Sequence, residues 1–326
     1  MSMYLRISKR AKRVFAYLPP ISQKYVLDYI THLIHRQLSP SHITGSITAI
    51  NQFFRQLPKE KMAKLSEVQK EDIRNFVEKK SNHGLKAGSM NWYLKILRGF
   101  FAYLVDEDHL LKNPVLYRYH VEEERRLPRP MKEVDLKEFL NLLKEPFDRA
   151  VFLLMLRCGL RNGEVCRLKV SHISFERKNL IVRNGKGKVD RIVYFSRDAQ
   201  EALINWMKER DNSSEYCFPS PTRQAEDKSI KDGDIRKRMK ELLHQCGLEN
   251  KGYTPHTLRH TFATTLLNAG VSLYVVRDLM GHKDVNQTLM YAQLYDQTVK
   301  DSYFQAMQKL EQESPIFKKE VASGSR

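Results

Sequence analysis

Apolar side chains recur at three- and four-residue spacing through about the first 115 residues, and the strict alternation of a half-buried strand is absent there. That spacing predicts helices. Sliding this region against itself reveals a repeat. Leu38 to Leu57 matches Leu85 to Leu104 at an offset of 47 residues, pairing Ile43 with Met90, Ile47 with Leu94, Ile50 with Leu97 and Phe53-Phe54 with Phe100-Phe101. At the same offset Val26, Tyr29 and Ile30 fall opposite Ile73, Phe76 and Val77. The unit is a helix, a turn and a second helix, present twice. Two copies are too few for a solenoid, so the expectation is two helical hairpins around one shared core. Pro40-Ser41 and Gly88-Ser89 fall where the second helix of each pair opens.

Asn113-Pro114 stops the last of these helices, and the charged, proline-containing stretch His120-Val-Glu-Glu-Glu-Arg-Arg-Leu-Pro-Arg-Pro-Met131 reads as a linker. Beyond it, helices are expected near Glu133 to Leu143 and from about Phe147 to Cys158. Alternation in Ser171 to Phe175, Asn179 to Arg183 and Val189 to Phe195, broken by Asn184-Gly185 and Gly187, predicts three short antiparallel strands. The remainder is again helical in pattern. Thr254-Pro255 supplies an N-cap and first-turn proline, Gly270 a stop, and a final helix is expected from about Gln297 to Gln312 before a disordered tail. The predicted fold is therefore mainly α in two domains. A helical domain occupies 1–118, a linker 119–130, and an α+β domain with a small three-stranded antiparallel sheet and a C-terminal tail helix 131–326.

Charge narrows the class of partner. Lys and Arg number 56 against 38 Asp and Glu, a formal net charge of +18, which points to a polyanion. No stretch approaches the ~20 uncharged apolar residues that span a bilayer, and the N-terminus lacks the apolar run of a secretory signal. A soluble cytoplasmic protein is expected. Cys158, Cys166, Cys217 and Cys246 show no CxxC spacing and no neighbouring histidine cluster, so reduced structural thiols are expected and no metal site.

Four local patterns in the second half suit phosphate chemistry. In Cys158-Gly-Leu-Arg-Asn-Gly-Glu164 a bend at a helix start presents Arg161, whose planar fork grips phosphate bidentately; alternatively it simply pairs with Glu164. Arg183-Asn-Gly-Lys-Gly-Lys-Val holds Lys186 on a tight turn, either as a proton donor or as a solvated hairpin tip, with Gly185 and Gly187 permitting close backbone approach. In Thr254-Pro-His-Thr-Leu-Arg-His, His256 and Arg259 stand one turn apart on one helix face, near its positive end, with His260 facing partly elsewhere. Finally Leu279-Met-Gly-His282 precedes Tyr291. A neutral phenol, pKa about 10, is a poor nucleophile until nearby cations stabilise its phenolate, and two arginines would do so. Tyr295, one turn on, is the rival for that role.

Taken together and in this order, these motifs resemble those of the tyrosine recombinases, also called the phage integrase family, over nearly the whole chain. Gly159-Leu-Arg161 is similar to the family's first catalytic arginine and Lys186 to its strand-turn lysine. His256-x-x-Arg259-His260 resembles its His-x-x-Arg box, His282 its His-or-Trp position, and Tyr291 its nucleophile at the usual distance, which disfavours Tyr295. The resemblance implies an N-terminal SAM-like core-binding domain and a C-terminal catalytic domain, joined where the two halves of a DNA clamp meet. It implies site-specific cleavage and rejoining of DNA strands through a 3′-phosphotyrosine, with no metal, ATP or cofactor. Arg161, Arg259 and His282 would hold the scissile phosphate, Lys186 would protonate the leaving 5′ hydroxyl, and His256 would serve proton transfer or phosphate support. Glu164 and His260 would support the site. The implied partners are double-stranded DNA, further copies of the chain in a tetramer on two DNA sites, and host DNA-bending or accessory proteins. The short stretch ahead of the first repeat leads to the expectation that a separate arm-binding domain is missing. A type IB topoisomerase-like relaxation activity, a catalytically silent DNA-binding protein and a basic helical scaffold are the competing readings.

Overall fold

A computed structural model of the chain describes residues 3–123, 128–183, 190–210, 212–220, 229–281, 289, 304, 307 and 308. It divides into two compact units, Met1–Arg125 and Arg126–Arg326. Among the described residues no helix is long and apolar enough to cross a membrane.

The first unit contains α1 (Met3–Val14), α2 (Pro20–His35), α3 (Pro40–Phe54), α4 (Lys59–Ala63), α5 (Lys70–Asn82) and α6 (Ala87–Asp106). The internal repeat has a structural counterpart, since α2 and α5 end, and α3 and α6 begin, at the same 47-residue offset. Its apolar pairs lie inside one core. Ile43, Ile47, Ile50, Phe53 and Phe54 are buried together with Met90, Leu94, Leu97, Phe100 and Phe101. Edge-to-face contacts of Phe53 with Phe76 (5.5 Å) and Phe101 (5.8 Å), and of Phe54 with Phe100 (6.1 Å), knit one hairpin to the other. The cap of α3 is Ser39, whose Oγ accepts the His42 N–H at 3.2 Å, one residue ahead of the expected Pro40-Ser41 opening. Helix α6 begins at Ala87 without a side-chain cap, so Gly88 and Ser89 lie within its first turn.

Both hairpin turns are built alike. Gln37 (φ +51) and Gly84 (φ +74) adopt the left-handed conformation at equivalent positions, and Leu38 N–H and Leu85 N–H reach back to Leu33 O (3.3 Å) and Lys80 O (3.2 Å). The second copy uses glycine, which bears that φ at no steric cost, whereas the first forces a glutamine into it. Gln37 is exposed. Gln37→Gly is therefore expected to stabilise the protein by roughly 0.5–1 kcal/mol, part of the relief being offset by the freer unfolded chain. A urea midpoint that does not rise would show that the turn carries no such strain.

The stretch read as a linker begins attached to the first unit. The Asn91 side chain on α6 accepts from Val121 N–H (2.8 Å) and donates to Val121 O (2.8 Å) and to Glu123 (2.7 Å). A paired asparagine of this kind replaces the solvent that a free linker would need for its backbone groups.

The second unit contains α7 (Glu133–Leu142), α8 (Pro146–Cys158), α9 (Asn162–Cys166), β1 (Ile173–Ser174), β2 (Asn179–Val182), β3 (Arg191–Tyr194), α10 (Arg197–Glu209), α11 (Asp232–Gln245), α12 (Pro255–Asn268) and α13 (Leu273–Met280). Helix α8 is apolar around its whole circumference, Val151 to Leu156 being buried, because α10 packs on one side and α12 on another. It stops at Gly159, whose φ is +63 and whose added Cβ would lie 2.5 Å from the Phe262 ring of α12. Both the turn and that close approach require glycine. The sheet is antiparallel in the order β1-β2-β3, with Leu180 opposite Val193 and Val182 opposite Arg191. Strand β1 is shorter than the expected Ser171 to Phe175 because Val170–His172 form a 3-10 turn ahead of it. Leu180, Val182 and Val193 point inward, while Ile192 and Tyr194 are exposed. The four cysteines are free thiols.

Candidate active site

A single buried carboxylate organises this site. Glu164, at the third position of α9, is 5% exposed and would be costly to bury unpaired. The Arg161 N–H donates to its Oε2 (2.8 Å) and the Arg161 Nη1 to its Oε1 (2.8 Å). From β3, Arg191 reaches the same carboxylate with both arms of its fork, Nη1 to Oε1 at 2.9 Å and Nη2 to Oε2 at 2.7 Å. Arg259 lies 3.9 Å from Oε2. Burial alone would raise the Glu164 pKa, but the hydrogen bonds and charge of Arg191, followed by those of Arg161, overcome it and lower the carboxyl to about 2. Glu164 is thus ionised throughout the neutral range. The stability this contributes is fully present above the ordinary carboxylate range and is lost only as pH falls from there through about 2.

The same three arginines cap the end of α13. Leu279 O accepts from Arg191 Nε (2.8 Å), Met280 O from the Arg259 guanidinium, and Gly281 O from Arg161 Nη2 (3.3 Å). Three successive carbonyls that a helix end leaves without intrahelical partners thereby meet three cations, at the negative end of the helix dipole. Gly281 has φ +61, and a Cβ there would lie 2.9 Å from Arg191 Cδ, so the glycine makes room for the arginine stem.

Helix α12 brings the third motif to the cluster. It opens as expected at Thr254-Pro255, the Thr254 N–H donating to Thr257 Oγ1 at 3.0 Å. Arg259 turns inward, is fully buried, and donates to Gly159 O as well as Met280 O. His256 is exposed instead, so the two residues expected to share one face differ sharply in access. His260 stands beside His256 and not apart from it, the ring centroids being 4.3 Å apart at 70°. Desolvation, then the charges of Arg259 and Arg161, lower the His256 pKa, and desolvation with the His256 and Arg259 charges lowers His260 to about 4. Both imidazoles are neutral near pH 7.

The structure therefore brings together Arg161, Glu164, His256, Arg259 and His260. Lys186, His282 and Tyr291, together with the rival Tyr295, lie outside the described residues; His282 follows Gly281 directly in the chain. Most of the expected helix from Gln297 to Gln312 also lies outside them, Phe304, Met307 and Gln308 being described as helical. Sequence reasoning missed Arg191. Its signal was present, because Arg191 is in phase with the inward Val193 and Phe195, and a charge on the buried face of a strand demands a buried partner.

Comparison with known proteins adds to this geometry. Residues 130–298 match the model of the phage integrase family, and residues 26–108 that of the phage integrase N-terminal SAM-like domain. The chain is 32% identical over 290 residues to a tyrosine recombinase of Pseudothermotoga lettingae, covering 88% of this chain and 96% of that protein. It is also 32% identical over 286 residues to the tyrosine recombinase XerC of Haemophilus influenzae, covering 86% and 94%. Among solved structures, the Tn1549 transposon integrase in complex with circular intermediate DNA aligns with a TM-score of 0.66 at 20% identity, covering 82% of this chain and 94% of that one. A lambda integrase dimer bound to a COC′ core site aligns with a TM-score of 0.65 at 19% identity, covering 81% and 96%. These two share the fold.

Proposed function

This chain belongs to the phage integrase family and is a tyrosine recombinase of the site-specific kind, and we propose that its chemistry runs through the arginine cluster around Glu164 and the Tyr291 hydroxyl. The observation that carries the site assignment is that Arg161, Arg191 and Arg259 converge on one carboxylate, leaving an excess of positive charge where a scissile phosphate would gain most from it. Among the three, Arg161 is the most open, its side chain 23% exposed, and it is the first contact for a non-bridging oxygen. Arg259, anchored from within, holds positive charge behind it. His256 is neutral and exposed, fit to accept the phenol proton or to donate to the phosphate. His282 adds a further donor.

Tyr291 attacks phosphorus in line, the bond to the 5′ oxygen breaks, and Lys186 protonates the departing hydroxyl. The product is a 3′-phosphotyrosine. Because that ester conserves the energy of the broken phosphodiester, the 5′ hydroxyl of a second strand reverses the step without ATP. Two duplexes require four such sites, so the working form is a tetramer on DNA, with the final helix a candidate for exchange between subunits. Its setting is the cytoplasm, where host DNA-bending or accessory proteins could shape the sites. The units expected over 1–118 and 131–326, joined through 119–130, would both contribute contacts to the DNA.

The test is a suicide-substrate assay on duplexes taken from DNA flanking the gene. Wild-type protein is expected to yield a protein–DNA adduct that survives a denaturing gel. Tight, sequence-selective binding with no adduct on any nicked duplex would sink the enzymatic reading in favour of a silent DNA-binding protein.

A further inference from the structure

Arg191 has more contacts in this site than a structural strand residue needs. All three of its guanidinium nitrogens are engaged, two on Glu164 and one on Leu279 O, and its side chain is 8% exposed. A carboxylate offers about four lone-pair positions, and here Arg191 takes two of them while the Arg161 backbone and one Arg161 nitrogen take the others. The occupancy has an electrostatic result. Glu164 is neutralised mainly from the side of β3, so it draws on only one arm of Arg161, whose other arm lies on Gly281 O, and leaves the partly exposed guanidinium its charge. Without Arg191, both oxygens would be open to a bidentate pair with Arg161, the geometry these two groups prefer. Arg161 would then be turned inward and its charge cancelled.

The Nε bond has a second effect. Leu279 is followed at once by Met280, Gly281 and His282, and its carbonyl is tied to the same side chain that sets Glu164. The Arg191 stem also occupies the space a side chain at position 281 would fill. One residue thus registers the end of α13 against Arg161, just ahead of α9, and Arg259 of α12.

We propose that Arg191 is a positioning residue for strand cleavage, holding Glu164 away from a bidentate pairing with Arg161 and fixing the end of α13 over the arginine cluster. This rests on the recombinase site assigned above. The test compares single-turnover adduct formation and DNA affinity in wild type, Arg191→Met, Arg191→Lys, Glu164→Gln and the Arg191→Met, Glu164→Gln double variant. Arg191→Met is expected to slow cleavage about 100-fold while changing DNA affinity by less than about threefold. Neutralising the carboxylate in the same protein removes its hold on Arg161, so the double variant is expected to recover about tenfold over Arg191→Met. A merely structural role predicts the opposite order, because the double variant loses one more buried hydrogen-bonding partner. Arg191→Met within about threefold of wild type, or a double variant no faster than Arg191→Met, overturns the inference.

Should methionine prevent folding, Arg191→Lys decides, since it keeps the charge but loses the fork and the Leu279 bond. About tenfold slower cleavage by the folded lysine variant supports the inference, and a wild-type rate overturns it. A Tyr291→Phe protein that still forms adduct would instead refute the underlying site, whatever the Arg191 variants do.

Discussion

Tyr291→Phe protein is expected to bind its DNA site with unchanged affinity and to form no covalent adduct at all. The substitution removes one oxygen atom, and in the proposed mechanism that oxygen is the one that bonds to phosphorus. Every other contribution to the reaction, from arginine charge to proton transfer, then has nothing to act on, so the loss is expected to exceed about 10⁴-fold and to reach the detection limit. Binding is different in kind. It draws on a surface with a net charge of +18, which a single neutral side chain does not alter. The comparison is read on a denaturing gel against a mobility-shift titration of the same preparations. An adduct that survives in the Phe protein would remove Tyr291 as nucleophile and turn attention to Tyr295.

Arg259→Lys is the second large effect. The wild-type guanidinium is fully buried and donates from separate nitrogens to Gly159 O and Met280 O, across the C-terminal ends of α8 and α13. An ammonium is a compact point donor and cannot span both carbonyls in the same fixed plane. One buried carbonyl is then left without its partner, at a cost of about 1–3 kcal/mol, and in the proposed site the charge behind the scissile phosphate moves. Cleavage is expected to fall at least about 100-fold, with a lowered melting temperature, while DNA affinity changes far less. Cleavage near the wild-type rate would show that Arg259 is a structural cap and contributes nothing to phosphate chemistry.

Much of this arrangement is legible in the sequence where the local signal and the tertiary outcome share one periodicity. The duplicated hairpin of the first unit is an example, because the apolar spacing that marks α2, α3, α5 and α6 is also what buries Phe53, Phe54, Phe100 and Phe101. The family is legible through its spaced motifs, and the bend at Arg161 through the Glu164 cap that follows it. Other features depend on distant partners and leave only a faint trace. Arg191 reads as an ordinary strand residue until its inward phase is counted and Glu164, 27 positions earlier, is found opposite. The inward turn of Arg259 depends on two carbonyls, at Gly159 and Met280, that no helical wheel of α12 contains. The pattern overstates β1 because alternation continues into the 3-10 turn at Val170–His172, where the extended backbone does not. The Ser39 cap was missed by one position for a simpler reason, the proline after it being the louder signal.

The capped end of α13 has a further meaning as a thermodynamic exchange. Of the three peptide oxygens, that of Gly281 occupies a nitrogen of the partly exposed Arg161, so an anion arriving at the proposed site and the helix terminus are rivals for that donor. Rivalry of this sort is reciprocal: in the proposed site, whatever free energy an anion gains by taking that nitrogen is lost from the hold on the Gly281 carbonyl.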